Sequence, residues 1–167
     1  MWWPGSRSNS VRTMWEGTVE AIHVAAEATQ LPRAVEQVRA IAGLGLEGDR
    51  YYFGTGTYSK HPGDGREITL IEAEAIEALA REAKIELPPG ASRRNIVTRG
   101  VPLNHLVVHR FRVGEVLLQG TRLCEPCAHL GALAGKGVVP GLVHRGGLRA
   151  DILGGGEIAV GDAVAAP

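Results

Sequence analysis

Glycine interrupts this chain so often that long helices have few places to form. It accounts for 23 of 167 residues, roughly double the usual share of about 7%. Much of it stands in turn-forming pairs, as in Gly43-Leu44-Gly45, Gly54-Thr55-Gly56, Gly146-Gly147 and Gly161-Asp162. A residue without a Cβ enters left-handed turns freely, so such pairs end strands and reverse the chain. Between them lie short runs that alternate apolar and polar, the pattern of a half-buried strand. Thr18 to Val24 is one, and Ala34 to Ile41 is a second. Phe111 to Leu123 alternates through Gly114 as a hairpin does, and Glu157 to Val164 repeats that style. Six or seven short strands of this kind predict a mainly β protein, a closed or half-closed β-barrel with a few peripheral helices.

One segment carries a helical period. Ile71, Ala75, Ile76, Leu79, Ala80 and Ala83 share a face, with Glu72, Glu74, Glu77, Arg81 and Lys84 elsewhere, which predicts a helix over residues 70–84. Thr69-x-x-Glu72 reads as its capping box, and Pro88-Pro89-Gly90 ends any continuation. Gly43-x-Gly45-x-x-Gly48 formally matches a dinucleotide fingerprint, but no helical period follows it in Tyr51-Tyr52-Phe53-Gly54, so that reading fails.

The length suits one domain with a real core. Residues 1–13 have the composition of a disordered tail, leaving residues 14–167 as a single domain, with Met14 a second candidate start. Lysine plus arginine and aspartate plus glutamate number 18 each. The balance gives no sign of bulk attraction to nucleic acid or membrane, so any positive patch must be local. No run approaches the roughly 20 apolar residues of a membrane span, and the N-terminus lacks the apolar centre of a signal peptide. A cytoplasmic protein is expected.

Both cysteines stand in Leu123-Cys124-Glu125-Pro126-Cys127-Ala128-His129-Leu130. Two cysteines make no disulfide framework at this size. Structural zinc would need two more ligands, and His129 and His144 are the nearby candidates, at irregular spacing. A thioredoxin-like redox pair wants a βαβ context that the pattern does not supply. Two buried small side chains are the bland alternative. The remaining reading is one reactive thiolate: Pro126 and Cys127 stand at the start of a short helix expected over 128–134, where the sulfur meets helix N–H groups. Upstream, Arg93-Arg94-Asn95 offers planar bidentate donors for phosphate or carboxylate, if it is not simply a charged surface.

Taken in order, six stretches form a known pattern: Gly45-Leu46-Glu47-Gly48-Asp49-Arg50-Tyr51, Arg66-Glu67-Ile68-Thr69-Leu70-Ile71, Arg93 through Leu103, Cys124-Glu125-Pro126-Cys127, Arg145-Gly146-Gly147-Leu148-Arg149-Ala150, and Gly161-Asp162. From about Gly17 to Val164 the chain resembles the MOSC domains, named for the C-terminal domain of molybdenum cofactor sulfurases, in their small stand-alone form. The resemblance implies a β-barrel and a role in handling molybdenum cofactor (molybdopterin) or sulfur. It places the family cysteine, a molybdenum ligand or persulfide carrier, at Cys127, with Cys124 a candidate redox partner. It implies that Arg93, Arg94, Asn95 and Arg145 bind the anionic cofactor, with Asp49, Arg50 and Arg66 lining the same end of the barrel. Related proteins reduce small N-hydroxylated compounds, and others are predicted sulfur carriers. Neither a pyridoxal-phosphate desulfurase nor a ferredoxin segment is recognisable, so a separate electron donor or cysteine desulfurase is implied. One departure is Val108, in a loop where the family often carries glycine.

Overall fold

A computed structural model describes residues 15–61 and 63–167; the expected tail over 1–13 lies outside the described residues. Seven strands close a barrel. In order around it they are β1 (Glu16–Val24), β11 (Ala163–Ala165), β7 (Arg110–Val113), β8 (Val116–Leu123), β9 (Leu148–Gly154), β5 (Ile68–Glu72) and β6 (Ile96–Arg99), which returns to β1. Every neighbouring pair is antiparallel except β5 and β6. A parallel pair needs a long crossover, and the helix α1 (Ala73–Ala83) provides it. Strand β2 (Arg33–Val35) pairs with the far end of β1. A small separate sheet holds β10 (Gly156–Ala159), β3 (Gln37–Ile41) and β4 (Gly45–Leu46). The single strand expected over 34–41 is therefore two, bent at Glu36 and shared between two sheets.

Alternation fills the barrel. Leu148, Ala150 and Ile152 of β9 are buried while Arg149 and Asp151 are not, and Phe111 and Val113 of β7 meet Val116 and Leu118 of β8 inside. The expected helix starts three residues late. Leu70, Ile71 and Glu72 pair with Ile96, Val97 and Thr98, so they are strand. Thr69 does not cap the helix: its hydroxyl donates to Asn95 Oδ1 at 3.1 Å, and Glu72 takes the N-cap position without a capping side chain.

Two more helices, α2 (Ala128–Ala134) and α3 (Val138–Leu142), pack on α1 through Leu79, Leu130, Val138 and Leu142. The sequence shows no trace of α3 because Pro140 and Gly141 lie within it. Proline is tolerated there, in a first turn whose N–H groups lack helical partners. Gly141 allows the close approach, since a Cβ there would run into Leu79. This apolar wedge holds the helix that Cys127 opens. No helix of the described residues is long and apolar enough to cross a membrane.

Val108 adopts φ +62° with 72% of its surface exposed. A β-branched residue in the left-handed region is strained by about 1–2 kcal/mol, and its exposed side chain has little packing to lose. Glycine removes that strain but loses more unfolded-state entropy, about 0.5–1 kcal/mol. Val108→Gly should therefore stabilise the fold by up to about 1 kcal/mol, read as a higher urea midpoint at unchanged m-value.

Candidate functional site

The end of β8, the start of α2, the turn over residues 50–58, the approach to β6 and the first residues of β9 meet at one end of the barrel. Between them is a cavity of about 50 Å³ lined by Arg50, Tyr51, Tyr58, Arg93, Arg94, Cys124, Cys127, His129 and Arg149, among others. Four arginines line this one small space, and three of them, Arg50, Arg93 and Arg94, are more than nine-tenths buried. The carboxylate against them is Asp49, itself fully buried just behind the lining. Asp49 accepts from the Ala25 N–H at 3.1 Å, from Arg50 at 3.3 Å and from the Tyr51 N–H at 3.4 Å. Arg50 also donates to the Arg93 carbonyl at 3.4 Å.

Arg93 and Arg94 have different tasks. Arg93 sits in the left-handed region at φ +61°, and its guanidinium donates to the carbonyls of Gln30, at 2.8 Å, and Ala28. Burial, and then the nearby Arg50 charge, lower its pKa. Arg94 is a brace: its guanidinium donates to the carbonyls of Gly146 at 2.8 Å, Cys124 at 2.9 Å and Ser92 at 3.1 Å. It thereby fixes the cysteine segment to the approach of β6 and to the turn before β9.

Besides Asp49, three expected site residues stand apart from the cavity lining. Asn95 spends its side chain on strand geometry, accepting from the Thr69 N–H and hydroxyl at 3.1 Å each and donating to the His23 carbonyl at 3.2 Å. Arg145 donates to the Gly141 carbonyl at 2.8 Å and to Glu82 at 2.7 Å, joining α3 to α1. Arg66 donates to the Tyr58 carbonyl and lies 5.7 Å from the centre of the Tyr58 ring, bracing the turn from outside. Arg149 and Tyr58, absent from the expected set, do line the cavity. The alternation of β9 was the available signal for Arg149: with Leu148 and Ala150 inside the barrel, Arg149 must face the other way. Gly147, at φ +111°, makes the turn that starts this strand, and a Cβ there would strike the Leu70 carbonyl.

Cys124 is buried and Cys127 exposed, and neither is in a disulfide. Cys127 holds the N-cap position of α2. Partial burial alone would push its thiol pKa up. The Leu130 and His129 N–H groups, the Tyr58 hydroxyl and the Arg94 charge outweigh that, and the net direction is down. The thiolate in turn pushes the Tyr58 hydroxyl up. Iodoacetamide should therefore label Cys127 at pH values where an ordinary thiol is mostly protonated, the rate falling only as pH drops through the depressed pKa. Tyr58→Phe removes one donor to the thiolate and should move that fall to higher pH; an unmoved profile would show that the hydroxyl does not reach the sulfur.

Among the described residues no group of three or more His, Cys, Asp or Glu side chains converges as a metal centre would require. His144 instead lies outside, 3.6 Å from Glu125. Strand β8, which leads into the cysteines, is antiparallel to both neighbours, so the parallel context of a thioredoxin-like site is also missing.

Residues 57–165 match the MOSC domain family. The chain belongs to the MOSC domain family. The match begins just before Tyr58 and runs through β11, spanning six of the seven barrel strands; β1, upstream of it, completes the ring. The MOSC fold here is similar to the crystal structure of the YuaD protein from Bacillus subtilis, with a TM-score of 0.75 at 16% identity over 90% of this chain and 97% of that one. It is similar also to YiiM from Geobacillus stearothermophilus, with a TM-score of 0.68 at 15% identity over 89% of this chain and 74% of that one. For YiiM from Escherichia coli the TM-score is 0.58 at 19% identity, over 91% and 69%. No curated protein sequence matches the chain.

Proposed function

We propose that this MOSC domain binds the molybdenum cofactor at the arginine-lined cleft, with Cys127 as its sulfur ligand, and reduces small N-hydroxylated compounds using electrons from a separate donor. The observation that supports it most is the position of Cys127: an exposed residue, its thiol pKa lowered, in the lining of a cavity that four arginines share. The donor set fits an anionic cofactor. Among the described residues no carboxylate lines the cavity, and thiolate is a reasonable ligand for molybdenum. Arg149 and Arg50 would hold an anionic group, while the 50 Å³ interior admits only the end of a molecule as large as a pterin. When bound, the cofactor supplies the redox centre. The protein's own part is to keep the sulfur ionised through Tyr58 and the α2 N–H groups, to hold it in place through the Arg94 brace, and to neutralise the ligand's charge.

The exposure of Cys127 favours a second reading, in which the sulfur carries a persulfide to another protein, loaded by a cysteine desulfurase. A persulfide carrier needs the same accessible, low-pKa sulfur. Metal and sulfur analysis after expression in a host that makes the cofactor separates the two. Molybdenum at one equivalent supports the first. Cyanide-labile sulfur on Cys127 without molybdenum supports the second, and stoichiometric zinc overturns both.

A further inference from the structure

The cavity holds more positive charge than the protein itself balances. Arg50, Arg93, Arg94 and Arg149 line it, and Asp49 is the carboxylate that answers them. Asp49 is already shared among Arg50 and two backbone N–H groups. Arg50, Arg93 and Arg94 are more than nine-tenths buried; the carbonyls their guanidiniums donate to satisfy hydrogen bonds but cancel no charge, and buried charge without a counterion costs several kcal/mol per ion. Arg149 makes no ion pair among the described residues, although it lines the cavity. Such a space is built for an anion from solution. At about 50 Å³ it has room for three or four waters, which is the size of a tetrahedral oxyanion. Cys127 and Arg149 line the same cavity, so an anion on the guanidiniums would lie beside a nucleophilic sulfur.

We infer that the cleft takes a small dianion carrying a sulfane sulfur, thiosulfate being the simplest, and that Cys127 takes its sulfur directly. This inference rests on the persulfide reading of Cys127 and removes its need for a desulfurase. The Cys127 thiolate attacks the outer sulfur of thiosulfate. A new bond forms from Sγ to that sulfur, the sulfur–sulfur bond of thiosulfate breaks, and sulfite leaves with the bonding pair. The products are a Cys127 persulfide anion and sulfite, so charge and electrons balance and no outside oxidant is consumed. Arg149 and Arg50 hold the sulfonate end, which becomes the leaving group.

The full chain, incubated with thiosulfate, should release one sulfite per protein and gain one sulfur atom on the Cys127 peptide by mass spectrometry. Added cyanide should return the sulfur as thiocyanate. Cys127→Ser should lose all three signals. Arg149→Ala should raise the half-saturating thiosulfate concentration by about ten- to a hundredfold, the worth of one charge-assisted contact, with Arg149→Lys recovering part of it. Phosphate and sulfate should compete. Sulfite release that survives Cys127→Ser, or loading indifferent both to Arg149 and to competing oxyanions, overturns the inference. If thiosulfate fails while a small-molecule persulfide still loads Cys127, this inference falls and the carrier reading stands; if neither loads it, both fall.

Discussion

Cys127→Ala should abolish sulfur loading and any cofactor-dependent reduction, by at least about a thousandfold, with the fold left intact. No other side chain at the cavity is placed to replace this thiolate: Cys124 also lines the cavity but is only 1% exposed, and the remaining polar lining is tyrosine, threonine, histidine and arginine. Removing a residue that forms the covalent or metal bond itself typically costs this much or more. Cys127 is exposed but holds the N-cap position of α2, so its truncation should cost no more than about 1 kcal/mol. Parallel assays of labile sulfur, molybdenum content and urea unfolding check both halves. If the alanine variant keeps its molybdenum and its activity, Cys127 is not the reacting sulfur and the proposed function fails with it.

Arg94→Ala is expected to act in the opposite manner, on the fold first and on function through it. The variant strands three carbonyl oxygens, of Ser92, Cys124 and Gly146, that the guanidinium now satisfies in a buried setting. A buried acceptor without a donor costs about 1–3 kcal/mol, less whatever water can recover. The loss should therefore be about 3–5 kcal/mol, a large part of the 5–15 kcal/mol typical of a domain. Urea unfolding would show it as a fall in midpoint. Arg94→Lys should rescue little, because one ammonium cannot span three carbonyls set around a planar fork. A midpoint within about 0.5 kcal/mol of the parent would mean that Arg94 is not the brace described here.

These two residues also mark how far local pattern carries. Leu123 to Leu130 identifies a thiol at a helix start because everything needed lies within eight positions, and α2 forms over 128–134 as expected. The hairpin of β7 and β8 is legible for the same reason, since its pairing follows from a glycine turn and alternation on either side. Helix α1 was legible in kind but not at its start. Residues 70–72 have the apolar content of either element, and pairing with β6 and β9 decides for strand.

The arginines show the limit. Local pattern marks Arg93, Arg94, Arg145 and Arg149 alike as guanidiniums near glycine or asparagine. Packing makes Arg94 a brace, sends Arg145 to Glu82 on α1, and turns Arg149 into the cavity. Tyr58 meets Cys127 only because the barrel brings the turn over residues 50–58 against α2.

Sequence alone, then, determined the strand-rich architecture, the cysteine at the start of a helix and the family pattern, because turn preference, alternation and helix-end chemistry act over a few residues. The tertiary structure decided which arginines line the cavity that holds the thiol. A charged side chain's role depends on which carbonyl, carboxylate or empty space is packed against it, and those neighbours come from strands and turns far apart in the chain.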